Sequence, residues 1–92
     1  EAFKITDDYY VMKFPAPAKI EGYFVNELDI EKEFNLNLIA IKRKTTAQNL
    51  LGMKVSEYHI IEEFPAEEKI FAGDLLVCSG AYKNFKKLWR AL

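Results

Sequence analysis

Residues Tyr9 to Phe14 alternate between two sides, with Tyr9, Val11 and Lys13 on one and Tyr10, Met12 and Phe14 on the other, until Pro15-Ala16-Pro17 ends the run. A period of two predicts a strand, and the prolines predict an extended exit, because a residue before proline avoids the helical region. After Gly22 the spacing changes. From Tyr23 to Phe34, Phe24, Leu28 and Phe34 stand among Asn26, Glu27, Asp29, Glu31, Lys32 and Glu33, which predicts a short helix with Asp29 as a cap within it. Leu36 to Lys44 then predicts a central strand, with Leu36, Leu38, Ala40 and Lys42 on one side and Asn37, Ile39, Ile41 and Arg43 on the other. A further strand is expected over Val55 to Phe64, ending at Pro65, and Gly73-Asp74 reads as a turn into a short buried strand, Leu75 to Cys78. From Ala81 to Leu92 the apolar residues Ala81, Tyr82, Phe85, Leu88, Trp89 and Leu92 recur at helical spacing, with Lys83, Lys86, Lys87 and Arg90 opposite. This is an amphipathic helix.

The order β, α, β, β, β, α implies an α+β sandwich in which two helices pack on a mostly antiparallel sheet. With 92 residues the chain has room for one core, and a core this small gains from further burial against a second copy, so a homodimer is expected. Half of the residues are apolar and 29% are charged, a globular composition. Thirteen Lys and Arg against fourteen Asp and Glu give a net charge of −1, which supplies no overall positive field for nucleic acid. Any anion must be held locally. The single cysteine, Cys78, cannot form an internal disulfide, and no apolar run is long enough to span a membrane, so a cytoplasmic location is the default expectation. A start at Glu1 suggests a piece of a longer polypeptide, with residues 1–8 as a lead-in and residues 9–92 as the domain.

Little in the chain points to catalysis. Ser56, Ser79, Cys78 and the one histidine, His59, lie in no recognisable nucleophile turn. Cys78 follows Leu75, Leu76 and Val77 and reads as a small core residue, and a lone His59 cannot build a histidine-rich metal site. Glu62-Glu63 and Glu67-Glu68 bracket Pro65 as exposed loop charge or as a weak cation site, without the spacing of a calcium loop. Gly22, Gly52, Gly73 and Gly80 are too scattered to cradle a phosphate. The remaining candidate is Lys42-Arg43-Lys44, followed by Thr45, Thr46, Gln48 and Asn49 and flanked by Leu38, Ile39 and Leu50, either an ordinary strand end or an anion site.

The order of motifs resembles the C-terminal domain of the regulator-of-potassium-conductance proteins, the gating subunits of Ktr and Trk type potassium transporters. The likeness runs over residues 9–92. It is carried by Pro15-Ala16-Pro17, Gly22, Asn26-Glu27-Leu28-Asp29-Ile30, the run from Phe34 to Arg43 (FNLNLIAIKR), and Phe71-Ala72-Gly73-Asp74-Leu75-Leu76-Val77 with Gly80 closing. The resemblance implies a dimerising, non-enzymatic regulatory domain whose full subunit forms a cytoplasmic ring on the inner face of the membrane and contacts the transporter's pore subunit.

Several members of that family bind cyclic di-AMP at the dimer interface, so the resemblance also implies this ligand, with no cofactor and no catalytic residue. A two-fold symmetric ligand suits an isologous interface, where each protomer presents the same half-site. By position, Arg43 would pair with a phosphate and Asn49 would add donors to it. Leu38, Ile39, Leu50 and Pro65 would wall the adenines. Two functions follow as expectations: a sensor in which cyclic di-AMP lowers potassium uptake, or a purely structural dimerisation module with no ligand of its own.

Overall fold

A computed structural model describes residues 1–92 and shows a five-stranded antiparallel sheet with helices on one face. The elements in chain order are β1 (Ala2–Lys4), β2 (Tyr9–Pro15), a 3-10 turn (Ala18–Ile20), α1 (Val25–Leu28), α2 (Ile30–Phe34), β3 (Asn37–Gln48), β4 (Lys54–Ile61), β5 (Leu75–Ala81) and α3 (Tyr82–Ala91). The sheet order is β1-β2-β5-β3-β4, so the last strand of the chain enters its centre. The α+β class read from the sequence holds.

The expected helix between Tyr23 and Phe34 is two pieces. Asp29 adopts a left-handed conformation (φ 43°, ψ 50°) that ends α1 and starts α2, and Asn35 (φ 54°) closes α2 with its N–H on the Glu31 carbonyl. Asp and Asn tolerate this region better than other residues with a Cβ, which is why the breaks fall there. The fragment Ala2–Lys4, which alternation alone did not mark, pairs with β2 as an edge strand (Phe3 opposite Val11).

The core lies between the sheet and the helices. Phe85 and Leu88 of α3, Ile30, Leu36 and Ile70 meet Met12, Ile41, Leu76 and Cys78 of the sheet. In an antiparallel sheet, residues directly opposite share a face. Register therefore places Phe14, Leu76 and Ile41 in one core row and Met12, Cys78 and Leu38 in the next.

Strict alternation along β3 would put Leu38 and Ile41 on opposite faces, yet both point to the helices. A bulge between Leu38 and Ala40 makes the difference: Leu38 pairs with Cys78 and Ala40 with Val77, leaving Ile39 unpaired in the register and 45% exposed. One extra residue exchanges the faces of everything that follows. Ile41 is thereby buried, Arg43 follows it onto the helix-bearing face, and Lys42 and Lys44 turn to the other side.

That second face carries no helix. Phe3, Val11, Val77, Ala40, Leu75 and Ile60 cross all five strands on it. Beyond the sheet centre, β3 and β4 continue as a two-stranded ribbon to the loop Asn49–Met53, which gives the molecule its 48 Å long axis. No helix is long and apolar enough to cross a membrane.

Candidate functional site

The ribbon carries Arg43 of the sequence-predicted site, with Asn49 and Leu50 at its tip, and its two faces differ in chemistry. On the helix-bearing face Arg43 uses four of its five N–H donors within the chain. Its Nε donates to Asp74 Oδ1 (3.0 Å), Nη2 donates to Asp74 Oδ2 (2.8 Å) and to the Lys69 carbonyl (2.9 Å), and Nη1 donates to Glu68 Oε2 (3.3 Å). The guanidinium also lies 4.2 Å over the Phe71 ring. Planar and forked, it matches a carboxylate edge-on while stacking on an aromatic face, which an ammonium cannot do.

Asp74 is 1% exposed and also accepts the Phe71 N–H (2.8 Å), while its own carbonyl accepts from Ala16 at the exit of β2. Gly73, at φ +86°, makes the turn that brings Phe71 and Asp74 together. The hydrogen bonds that Arg43 donates to Asp74 hold its guanidinium above its ordinary pKa, against the opposing effect of burial. Arg43 thus pins the segment between β4 and β5 onto the sheet. That segment also bonds to the start of α1, through Glu68 carbonyl to Val25 N–H and a pair of bonds between Ile70 and Gly22 and Tyr23. Of the acidic run expected as loop charge, Glu68 is therefore an ion-pair partner (3.3 Å from Arg43), and no group of carboxylates, His or Cys is clustered to hold a metal.

The other expected site residues are dispersed. Asn49 sits six positions beyond Arg43 on the ribbon, about 20 Å along it at strand rise, so the two side chains of one chain do not converge on one phosphate. The Asn49 side chain instead closes the loop: Oδ1 accepts from Leu51 N (2.9 Å) and Met53 N (3.0 Å). Leu50 is at the tip, fully exposed, with Leu51 and Met53 beside it. Leu38 faces the helix side, where with Phe64, Val25 and Asn26 it lines a cavity of about 160 Å³, and it is the one expected site residue that lines any cavity. Pro65 is exposed and accepts the Glu68 N–H in a turn. His59 is exposed on β4 near Glu57 (3.7 Å), and Cys78 is fully buried, its thiol pushed up to about 12 by desolvation.

The residues that sequence reading passed over are Asp74 and Glu68, the partners of Arg43, and Tyr58, which lies under Lys42 (Nζ 4.6 Å from the ring centroid). Alternation had already separated Lys42 from Arg43. Nothing local signals that Asp74, 31 positions away, would claim the guanidinium.

No protein-family model matches the sequence, and no curated protein matches it significantly. The three-dimensional arrangement is informative where sequence comparison is silent: the chain has the fold of the C domain of regulators of K+ conductance. A solved structure that shows this is the RCK C domain of the potassium transport protein KtrA in complex with cyclic diadenosine monophosphate. It superposes with a TM-score of 0.70 at 21% identity over 94% of this chain and 86% of that one.

Proposed function

We propose that this chain is the regulatory domain of a potassium uptake system, binding cyclic di-AMP between two copies and thereby lowering K+ transport. The observation that supports this most directly is the fold shared, over nearly the whole chain, with a KtrA domain that holds that dinucleotide. In this reading the domain is cytoplasmic, peripheral to the membrane through its pore partner, and does no chemistry. Coupling of about 1 to 3 kcal/mol between ligand and gate is enough for regulation, and a micromolar ligand supplies about 8 kcal/mol of binding free energy from which that differential can come.

The half-site of each copy draws on exposed atoms of Ile39 at the bulge, of Asn49 and Leu50 at the ribbon's tip, and of Pro65 in the turn after β4. Leu38 backs this surface from the core side. Arg43 acts as a positioning residue, because its hydrogen bonds fix the loop that carries Pro65. The alternative of a structural dimerisation module draws support from the same fact, since four of the five N–H donors of Arg43 are used within the chain.

Calorimetric titration of the purified protein with cyclic di-AMP separates the two. Heat saturating at one ligand per two chains, with none from cyclic di-GMP at the same concentration, is the expected result. No heat from a chain shown by light scattering to be dimeric overturns the sensor in favour of the scaffold.

A further inference from the structure

Charge is unevenly divided along the chain. Its first 74 residues carry nine Lys and Arg against fourteen Asp and Glu, whereas the last eighteen carry four cations and no acid. All four cations stand on α3, where Lys83, Lys86, Lys87 and Arg90 recur at i, i+3, i+4 and i+7 and so form one row along the helix. Each is exposed, and none forms a salt bridge. The row works against the helix that carries it. Like charges three and four residues apart repel, Lys83 stands in the first turn, where the helix end is already positive, and that turn has neither an acid nor a side-chain cap.

Aromatic surface borders the row. Tyr82 and Trp89 are 43% and 42% exposed and pack edge to face with ring centroids 6.3 Å apart, and Lys86 Nζ lies 5.2 Å from the centre of the Tyr82 ring. The buried Phe85 backs Trp89 at 6.0 Å, so the indole is held in place while part of it meets water. Trp, Tyr and Arg dominate binding energy at protein interfaces, in part because a ring already fixed loses little freedom when it is covered.

We propose that this edge of α3 docks an acidic segment of a partner protein, its carboxylates on the row of cations and its apolar side chains against Tyr82 and Trp89. Charge complementarity sets the sign of the partner, and the row sets its shape. From Lys83 to Arg90 the cations extend about 10 Å along the axis, two helical turns, which a partner helix with glutamates at the same spacing matches. A bilayer of anionic lipid fits less well. Beside α3, to which it is joined by the bond from Asn84 Nδ2 to the Asn35 carbonyl (3.4 Å), α2 exposes Glu31 and Glu33, which a plane of negative headgroups would also meet. A second copy presents acids on α1 and α2, but these are helices of four and five residues broken at Asp29, too short for a straight row of that length. None of the residues involved belongs to the dinucleotide half-site, so the two readings stand or fall separately.

Trp89 is the only tryptophan, and its fluorescence reads the contact directly. The test titrates the parent protein with a synthetic helical peptide, free of aromatic residues, that carries glutamates at i, i+3, i+4 and i+7 with leucines beside them. A peptide of the same composition with its glutamates scattered round the helix is the comparison. The ordered peptide should shift Trp89 emission saturably at low salt, bind about fivefold more tightly than the scattered one, and be released by salt. Lys86→Gln/Lys87→Gln should weaken it about fivefold, whereas Lys44→Gln/Lys54→Gln, at exposed positions of the ribbon, should stay within about twofold. In thermal melts Lys86→Gln/Lys87→Gln should be no less stable than the parent, because the change relieves repulsion; a lower midpoint means that these cations hold the fold, and overturns the proposal. An unmoved Trp89 emission, or equal weakening by the ribbon variant, overturns it as well. A response to phosphatidylglycerol vesicles without one to the peptide transfers the surface to a membrane, and salt-sensitive self-association lost in Lys86→Gln/Lys87→Gln transfers it to a second copy; either outcome overturns the acidic-segment reading. The sensor is decided apart from all of these, by the calorimetric titration.

Discussion

Replacing Arg43 by alanine should cost stability first and foremost. The side chain is 14% exposed and Asp74 is 1% exposed, and together they are joined by two near-parallel hydrogen bonds at 3.0 and 2.8 Å. In Arg43→Ala the Asp74 carboxylate remains buried with the Phe71 N–H as its remaining donor. Breaking a buried pair by removing one partner typically costs about 3–5 kcal/mol, mostly the desolvation of the charge left behind. A domain of this length has a total stability on the order of 5–14 kcal/mol, so the variant should lose a large share of it. Urea unfolding followed by the fluorescence of Trp89, which packs on Phe85, reads the change as a lower midpoint at an unchanged slope. Pairing the change with Asp74→Asn is the sharper measurement. The amide keeps an acceptor for Phe71 and removes the stranded charge, so the double variant should be more stable than Arg43→Ala alone, a non-additivity that the cycle measures directly. Loss of less than about 1 kcal/mol in Arg43→Ala, or strict additivity in the double variant, would refute the account and return Arg43 to the status of a surface cation.

Two other changes test the packing. A Cβ at Gly80 would collide with the Leu36 side chain, which is fully buried, so Gly80→Ala should destabilise by about 1–3 kcal/mol although its backbone angles suit alanine; an unchanged melting temperature would show that Leu36 can move aside. Burial raises the Cys78 thiol from 9.0 to about 12, so the neutral form is favoured in the fold. Its contribution is therefore intact below pH 9 and is lost between pH 9 and 12, as the unfolded chain ionises and the native one does not. Relative to Cys78→Ala, the parent should lose up to about 1.4 kcal/mol per pH unit over that window in denaturant titrations, and parallel curves would refute the burial argument.

The sequence disclosed elements better than contacts. The amphipathic helix from Ala81 was legible because its apolar face at i, i+3, i+4 and i+7 is the face that Phe85 and Leu88 bury, and the strand from Tyr9 because proline bounds it. The helix after Gly22 was readable as helical spacing but not as two pieces, since a left-handed Asp29 is a single-residue conformation with no periodic trace. β4 was expected to reach Phe64 and stops at Ile61, because pairing with β3 ends where the chain turns away to cross toward β5. β1 was missed because three residues are too few for a period to show. Of the site, the cationic cluster on β3 was visible as a run of three charges. Which of them faces inward was not, because that depends on the partner at position 74 and on a register shift four residues earlier.

That register shift decides which charges of β3 are buried and which face outward. Without the bulge at Ile39, the parity that buries Leu38 would carry Lys42 and Lys44 to the helix face and turn Arg43 outward. Two ammoniums would then face Asp74, each a strongly hydrated point charge poorly matched to a carboxylate edge, and the one guanidinium would stand free. With the bulge, the residue whose planar fork gains most from burial is buried, and the residues whose hydration makes burial costly turn to the open face. Arg43 is thus spent on holding the loop between β4 and β5 against the sheet. The open face of that same ribbon carries Lys42, Lys44 and Lys54, which form no salt bridge, and Lys42 rests over the Tyr58 ring. One strand therefore separates a buried structural charge from two outward-facing ones by a single inserted residue.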